Sequence, residues 1–260
     1  MSIDSIASAA EALREAEASR TPRGRITEEW AGLDLEAAYA VQRANIEARV
    51  AAGERVIGVK LGLTSRAKQQ RMGVDSPLTA VLSDAYVLPA DQPVALDRLI
   101  QPRAEPEIVF VMRDALRGPG VTAATALAAV DRVYGGFEVI DSRFEGYDFA
   151  LPDVVADNAS SALFTIAGVG VAPEGLDLAL EAVVLSVDGE VVDTATGAAV
   201  QGHPAEALAL AANALAARGE EIPAGSIVLT GGLTDAVPLR AGGVVSAEFT
   251  HLGSVHLTAE

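Results

Sequence analysis

The segment Glu105-Pro106-Glu107-Ile108-Val109-Phe110-Val111-Met112 sets the fold class, because its apolar part is typical of a buried β-strand. Similar apolar runs follow along the chain, and Asp188-Gly189 between two of them predicts a tight hairpin turn. We predict strands at residues 55–63, 81–88, 107–112, 133–142, 162–167, 182–187, 190–194, 226–230, 244–250 and 254–258. Only two helices are expected within this series, at 122–130 and 204–218. Many strands with few crossover helices favour a mixed or barrel-like architecture over a doubly wound one.

The N-terminal part of the chain has a different pattern. Residues 3–19 and 35–50 carry apolar side chains at helical spacing, and Thr64 or Ser65 could cap a short helix through Met72. We therefore expect an α+β protein. A helical N-terminal region, residues 1–70, should lead into a β-rich, metal-binding catalytic domain, residues 71–260.

Composition narrows the classes of function. Nineteen basic residues against 36 acidic ones give a net charge of −17, which disfavours nucleic acid and anionic membranes as partners. The absence of cysteine excludes disulfides, zinc–thiolate sites and thiol nucleophiles. No signal peptide or membrane span is expected, so a cytoplasmic location follows by default. An anionic substrate would need local positive charge, and a bound cation is one source of it.

Three glutamates are the first candidates for chemistry. Side chains alternate along an extended segment, so Glu105 and Glu107 should project from the same face. Glu138 lies in another apolar strand, where a carboxylate needs a partner. Hard divalent cations prefer such oxygen ligands. From spacing alone, the favoured interpretation is that the pair lines a solvated strand face and that Glu138 binds an arginine such as Arg143.

Other polar positions allow two interpretations each. Lys60 lies in a short apolar strand and needs an anionic partner there, unless its side chain turns outward to water. The cluster at 157–161 could bind a carboxylate or could be an ordinary loop. His203 could be catalytic, although Pro204 after it favours a helix start. Residues 230–234 follow a strand, and their glycines permit close approach to a ligand.

Taken together, six motifs resemble the 2-oxopent-4-enoate hydratase and 4-oxalocrotonate decarboxylase family, within the fumarylacetoacetate hydrolase superfamily. The resemblance extends from about residue 37 to residue 255. In chain order the motifs are 58–64 (GVKLGLT), 105–107 (EPE), 137–143 (FEVIDSR), 155–160 (VADNAS), 202–204 (GHP) and 222–225 (IPAG). Pro106 departs mildly from the family, which usually has a small or acyclic residue between the paired glutamates.

The resemblance implies a fold and a site. The fold is the β-rich, barrel-like catalytic domain of that superfamily. The implied ligands of Mg²⁺ or Mn²⁺ are Glu105, Glu107 and Glu138. The implied catalytic residues are Lys60 and Ser160, and the implied substrate-binding residues are Leu63, Leu78 and Thr234. The family also implies a homo-oligomer and allows a complex with a partner hydratase.

Position 78 favours one activity within the family. Hydratases typically carry an aspartate in this region, where a carboxylate can deprotonate water, whereas here Leu78 follows the segment 73–77. An apolar wall suits a decarboxylase, whose product loses charge. We therefore expect decarboxylation of 2-oxohex-3-enedioate to 2-hydroxypenta-2,4-dienoate through a metal-stabilised dienolate, in the meta-cleavage breakdown of aromatic compounds. The alternatives are a 2-hydroxypenta-2,4-dienoate hydratase, a non-catalytic subunit that stabilises a hydratase, and a carbon–carbon hydrolase.

Overall fold

The computed structural model describes residues 3–65, 69–70 and 77–260. Its labelled helices are α1 (Ile6–Ser19), α2 (Ile26–Glu29), α3 (Leu35–Ala51), α4 (Ala123–Ala128), α5 (Leu151–Ala156) and α6 (Pro204–Ala216). Its strands are β1 (Val56–Gly62), β2 (Leu78–Ser83), β3 (Arg103–Met112), β4 (Val130–Ile140), β5 (Ser161–Ile166), β6 (Ala182–Val187), β7 (Glu190–Thr196), β8 (Ile227–Gly232), β9 (Val237–Pro238), β10 (Val244–Phe249) and β11 (Ser254–Thr258). The expected α+β class is confirmed, with N-terminal helices and a β-rich remainder.

The larger sheet curls into a partial barrel. Its strand order is β2-β1-β8-β3-β4-β5, with β9 added beside β3, and β1 and β8 run parallel while the other pairs are antiparallel. A single bridge between Val87 and Phe164 brings the two ends of the sheet together. Gly58 allows β1 and β8 to approach, because a Cβ there would lie 1.9 Å from the carbonyl oxygen of Ile227. This curvature gives the sheet an inner and an outer face.

The outer face of the sheet carries the main hydrophobic core. Ile108, Phe110 and Phe137 are fully buried there together with residues of α6 and of the second sheet. That second sheet has the order β11-β10-β6-β7. Side chains alternate along β3, so Glu105 and Glu107 face the opposite, inner side of the larger sheet. The core therefore fixes the strands from one side and leaves the inner face for the site.

The N-terminal helices pack against β2 and against the chain segment just before β5. The α1 helix begins with a reciprocal cap between Ser5 and Ser8, and Asp34 caps α3 by accepting from Ala37 N at 2.8 Å. Apolar residues of both helices share one buried cluster with Leu78 and with Ala159, which lies just before β5. The helices thus share one hydrophobic cluster with one edge of the larger sheet.

Several predicted boundaries differ from the structure. The strand expected at 81–88 is β2 at Leu78–Ser83, followed by a helical turn at Asp84–Tyr86. The strand expected at 107–112 begins four residues earlier, at Arg103. Most of the helix predicted through Met72 lies outside the described residues. The boundary at residue 70 stays a prediction; β1, which precedes it, pairs with β2 and β8 in the larger sheet. Within the described part of the chain, no helix has the length and apolar character to cross a bilayer.

Candidate metal centre

Three carboxylates converge on the inner face of the barrel. Glu105 and Glu107 project from β3, and Glu138 projects from β4 opposite Glu105 in the antiparallel register. One oxygen from each residue lies within 4.8 Å of the corresponding oxygens of the other two. Glu107 and Glu138 are buried, whereas Glu105 is half-buried. The pairing of two neighbouring strands therefore brings together residues that are up to 33 positions apart in the chain.

The electrostatics of this cluster fit a bound cation. Burial raises the pKa of Glu107 well above its usual range, and the nearby Glu138 and Glu105 carboxylates raise it further. Glu107 Oε1 is buried and has no hydrogen-bond partner among the residues that the structure describes, although Oε2 accepts from Gly231 N at 2.7 Å. A buried acceptor without a donor is costly. An all-oxygen set with one uncommitted buried oxygen is a suitable site for Mg²⁺ or Mn²⁺.

Lys60 lies against the same cluster and does not turn outward to water. Its ammonium Nζ is 2.7 Å from Glu138 Oε2 and donates to the carbonyl oxygen of Ala159 at 2.8 Å. Burial raises the pKa of Glu138, and the lysine partly offsets this rise. If all three carboxylates are ionised, they outnumber this one ammonium group by two charges. A divalent cation would balance that excess.

Glycines of β8 leave space for these polar groups. A Cβ on Gly232 would lie 2.3 Å from Glu105 Oε2, and one on Gly231 would lie 2.0 Å from Thr64 Oγ1. The glycines were expected to let a ligand approach, and the groups that approach them in the structure are Glu105 and Thr64. Gly231 N–H, which supports Glu107, is a contact that sequence reasoning missed.

Apolar residues form a wall close to Lys60. Leu78 is 5% exposed and shares a buried cluster with Ala159, against which the half-buried Leu63 packs. A Cβ on Gly62, two residues after Lys60, would meet Leu78 Cδ1 at 2.7 Å. Thr234 is also buried, but its Oγ1 donates to the Asp235 carbonyl at 3.1 Å within its own loop. The structure thus groups the two leucines and leaves their role in substrate binding a prediction.

The two neighbouring serines make different contacts. Ser160 Oγ donates to Asp157 Oδ2 at 3.2 Å, whereas Ser161 Oγ lies 3.5 Å from Glu138 Oε1. Ser161 was not singled out in the sequence, where nothing distinguished it from Ser160. His203 Nδ1 accepts from Ala205 N at 3.0 Å and caps α6, as the interpretation of a helix start predicted.

Comparison with known proteins identifies the family. Residues 55–259 match the fumarylacetoacetate (FAA) hydrolase C-terminal family. The chain belongs to the fumarylacetoacetate hydrolase family. Within it, the chain is 42% identical over 252 residues to 4-oxalocrotonate decarboxylase of Pseudomonas sp. strain CF600, covering 97% of this chain and 96% of that protein. It is also 40% identical over 255 residues to 2-keto-4-pentenoate hydratase of Burkholderia vietnamiensis, covering 98% and 97%.

A solved structure supports the same placement. The 4-oxalocrotonate decarboxylase of Pseudomonas putida G7, crystallised with magnesium and adipate, superposes with a TM-score of 0.94 at 40% identity, covering 98% of this chain and 97% of that one. The resemblance expected from the six motifs is therefore confirmed, as is the barrel-like fold of the fumarylacetoacetate hydrolase family. The relatives are decarboxylases and hydratases, so this family member is an enzyme, and the lyase class fits it.

Proposed function

We propose that this chain decarboxylates 2-oxohex-3-enedioate to 2-hydroxypenta-2,4-dienoate in bacterial meta-cleavage breakdown of aromatic compounds. The observation that carries the proposal is the cluster of Glu105, Glu107 and Glu138 beside Lys60, in a chain 42% identical to a 4-oxalocrotonate decarboxylase. The three glutamates hold Mg²⁺ or Mn²⁺. The cation, when bound, supplies Lewis-acid charge at the 2-oxo acid end of the substrate.

The residues around the cluster support this reaction in separate ways. The C5–C6 bond breaks, its electron pair moves through the alkene to the C2 oxygen, and that oxygen then takes up a proton. Negative charge therefore grows at the 2-oxo end, where the Lys60 ammonium group supplies a compensating charge. Lys60 is 3% exposed and its carboxylate partner Glu138 is 1% exposed, so water does not screen the attraction between the lysine and the growing negative charge.

The apolar wall favours decarboxylation over hydration. Leu78 and Leu63 place hydrocarbon beside the position expected for the far end of the substrate. A departing carboxylate becomes neutral carbon dioxide, which an apolar wall accommodates better than it does the anion. Hydration of 2-hydroxypenta-2,4-dienoate is the second candidate, because the 2-keto-4-pentenoate hydratase of Burkholderia vietnamiensis is 40% identical to this chain. Thr234 and Ser160 complete the proposed set of substrate-contacting residues.

The proposal extends to assembly and location. We expect a cytoplasmic homo-oligomer that could associate with a hydratase, because the decarboxylation product is the substrate of such an enzyme. Size-exclusion chromatography with light scattering measures the mass of the oligomer. A monomer at micromolar concentration would contradict the proposed homo-oligomer but not the proposed activity.

Offering both substrates to one purified, Mg²⁺-loaded sample tests the activity. Release of carbon dioxide from 2-oxohex-3-enedioate is expected, with slower or no loss of 2-hydroxypenta-2,4-dienoate. Glu107→Gln is the matched control and should abolish both activities. Hydration without decarboxylation would select the second candidate, and metal binding without turnover of either substrate would refute both.

A further inference from the structure

The chain segment between α5 and β5 has an uncommon backbone. Asn158, Ala159 and Ser160 follow one another with φ values of 49°, 51° and 59°, all in the left-handed region. For residues with a side chain this conformation is sterically costly, and three in succession persist only where the surrounding structure enforces them. Residues 158–160 are here called the left-handed turn. All three are buried.

Arg143 holds both ends of the left-handed turn. Its Nη2 donates to the carbonyl oxygen of Asp157 at 2.7 Å, and its Nη1 donates to that of Ser161 at 3.2 Å. Its Nε also pairs with the Asp157 carboxylate, which accepts from Ser160 Oγ at 3.2 Å. The planar guanidinium can make these bonds together because its donors form a rigid fork. Arg143 is 6% exposed and thus spans the turn from inside the protein.

Two further contacts fix the remaining sides of the turn. The Asn158 side chain accepts from Val81 N and donates to Val81 O, both at 2.9 Å, which ties the turn to β2. The carbonyl oxygen of Ser160 accepts from Asp141 N at 2.8 Å, which ties it to the chain just after β4. The turn is therefore anchored to neighbouring segments on either side of the site.

The carbonyl group at the centre of the turn points at the candidate active-site lysine. Ala159 O accepts from Lys60 Nζ at 2.8 Å, and the only other close partner recorded for Nζ among the described residues is Glu138. A lysine has four rotatable side-chain bonds and needs such contacts to stay in one place.

We infer that Arg143 and the left-handed turn position Lys60: Arg143 fixes the turn, and the Ala159 carbonyl holds the lysine ammonium group beside the carboxylate cluster. Arg143 is thus a positioning residue that acts through Lys60. The inference rests on the proposed function, since it presumes that Lys60 takes part in turnover. It also accounts for a buried Arg143–Asp157 pair that contacts none of the three glutamates.

Relaxing the turn without removing any hydrogen bond is the main test. Ala159→Gly keeps the carbonyl and every anchor, while glycine tolerates both left- and right-handed conformations and lets the carbonyl move. We expect kcat to fall about tenfold or more, with KM and Mn²⁺ affinity within about twofold of wild type. Arg20→Gly is the matched control, because Arg20 is also left-handed (φ 54°) but lies exposed at the end of α1. It should leave kcat unchanged.

A direct view of the lysine gives a second readout. The chain contains only two lysines, Lys60 and Lys68, so ¹³C-lysine labelling yields two ε-methylene signals. The signal lost in Lys60→Met identifies Lys60. In wild type its two ε protons should have separate shifts because the side chain is held, and in Ala159→Gly they should merge. Arg143→Lys, which keeps the charge and loses the fork, should give the same merging.

A double-mutant cycle separates positioning from simple structural support. If the turn acts through Lys60, Ala159→Gly should lower kcat in wild type and have no further effect in Lys60→Met. An unchanged kcat in Ala159→Gly, or an equal loss in both backgrounds, would overturn the inference. If Lys60→Met itself keeps full activity, the proposed role of Lys60 fails first. Should Arg143→Lys not fold, Ala159→Gly still decides the matter.

Discussion

Glu107→Gln should make the metal-free protein more stable and the metal-loaded protein inactive. The glutamate is fully buried, has one oxygen without a donor within the described part of the chain, and lies beside Glu138 and Glu105, whose carboxylates disfavour its ionised form. Glutamine has the same shape and can still accept the hydrogen bond from Gly231 N. The substitution therefore removes the cost of burying this carboxyl group, which is repulsion when the group is ionised and proton uptake when it is not, and it keeps the packing.

The expected size of the effect follows from these contacts. A buried acceptor left without a donor costs about 1–3 kcal/mol, and at about 2–4 °C per kcal/mol the variant should melt several degrees above wild type in EDTA. Bound metal should reverse this order of melting temperatures. At a free concentration 100 times its Kd, an ion that binds only the folded state stabilises it by about 2.7 kcal/mol. The variant, which lacks one ligand, should gain much less.

Thermal unfolding of both proteins in EDTA and in excess Mg²⁺ measures this crossover. Glu105→Gln serves as the comparison, because Glu105 is half-buried and therefore more accessible to water than the fully buried Glu107. This variant should lose the stabilisation by metal, but it should not melt above wild type in EDTA. A Glu107→Gln protein that melts below wild type in EDTA would refute the reasoning, since the carboxylate would then be a structural partner and not a vacant ligand.

Three other predictions follow from the structure. Because its pKa is raised in the fold, Glu107 retains its proton up to a higher pH in the metal-free protein than in the unfolded chain, so metal-free stability should fall as pH rises above the ordinary carboxyl range. Metal binding should release protons in that pH range, and calorimetry in two buffers of different ionisation enthalpy that showed no difference would disprove this. Leu78→Asp should slow decarboxylation and confer some hydration of 2-hydroxypenta-2,4-dienoate. Because the position is buried, the substitution should also lower the free energy of unfolding by at least about 2 kcal/mol, which urea unfolding measures. If the variant gained no hydration activity, the specificity argument would be rejected. Gly58→Ala should prevent stable folding, because its Cβ would lie 1.9 Å from Ile227 O, whereas Gly24→Ala meets no atom within 4 Å and should change the free energy of unfolding by less than about 0.5 kcal/mol.

Local sequence signals predicted most of the strands but few of their ends. Asp188-Gly189 forms the expected hairpin turn, with left-handed φ values of 52° and 84°. The strand expected at 81–88 was wrong in its bounds because tertiary contacts decide them. Asp84 accepts from Arg55 N at 2.9 Å at the end of β2, and the chain turns there into a short helix. Propensity along the segment contains no information about that partner 29 residues away.

The site was predictable to the extent that it follows from alternation and from family resemblance. Period-two alternation put Glu105 and Glu107 on one face, and the strand containing Glu138 is paired directly with theirs. Spacing could not choose the partner of Glu138. The sequence offered Arg143 as one candidate, but the structure pairs Glu138 with Lys60 and Arg143 with Asp157. That choice depends on which strands adjoin and on the path of the left-handed turn, and both are properties of the whole fold.

Departures from ordinary folding rules concentrate around the carboxylate cluster. Among the described residues, eight that are not glycine have positive φ, and four of these lie next to Lys60 or in its wall: Leu63, Asn158, Ala159 and Ser160. The cluster itself holds a buried oxygen to which no described residue donates a hydrogen bond. Strain and unsatisfied groups are selected against in a fold that needs only stability, so their coincidence at one place points to a function that requires them. A bound cation would relieve the cost of the buried oxygen, and the inferred positioning of Lys60 would explain the strained backbone. The same conclusion predicts that substitutions which relax this region will stabilise the chain or leave it unchanged while they lower its activity.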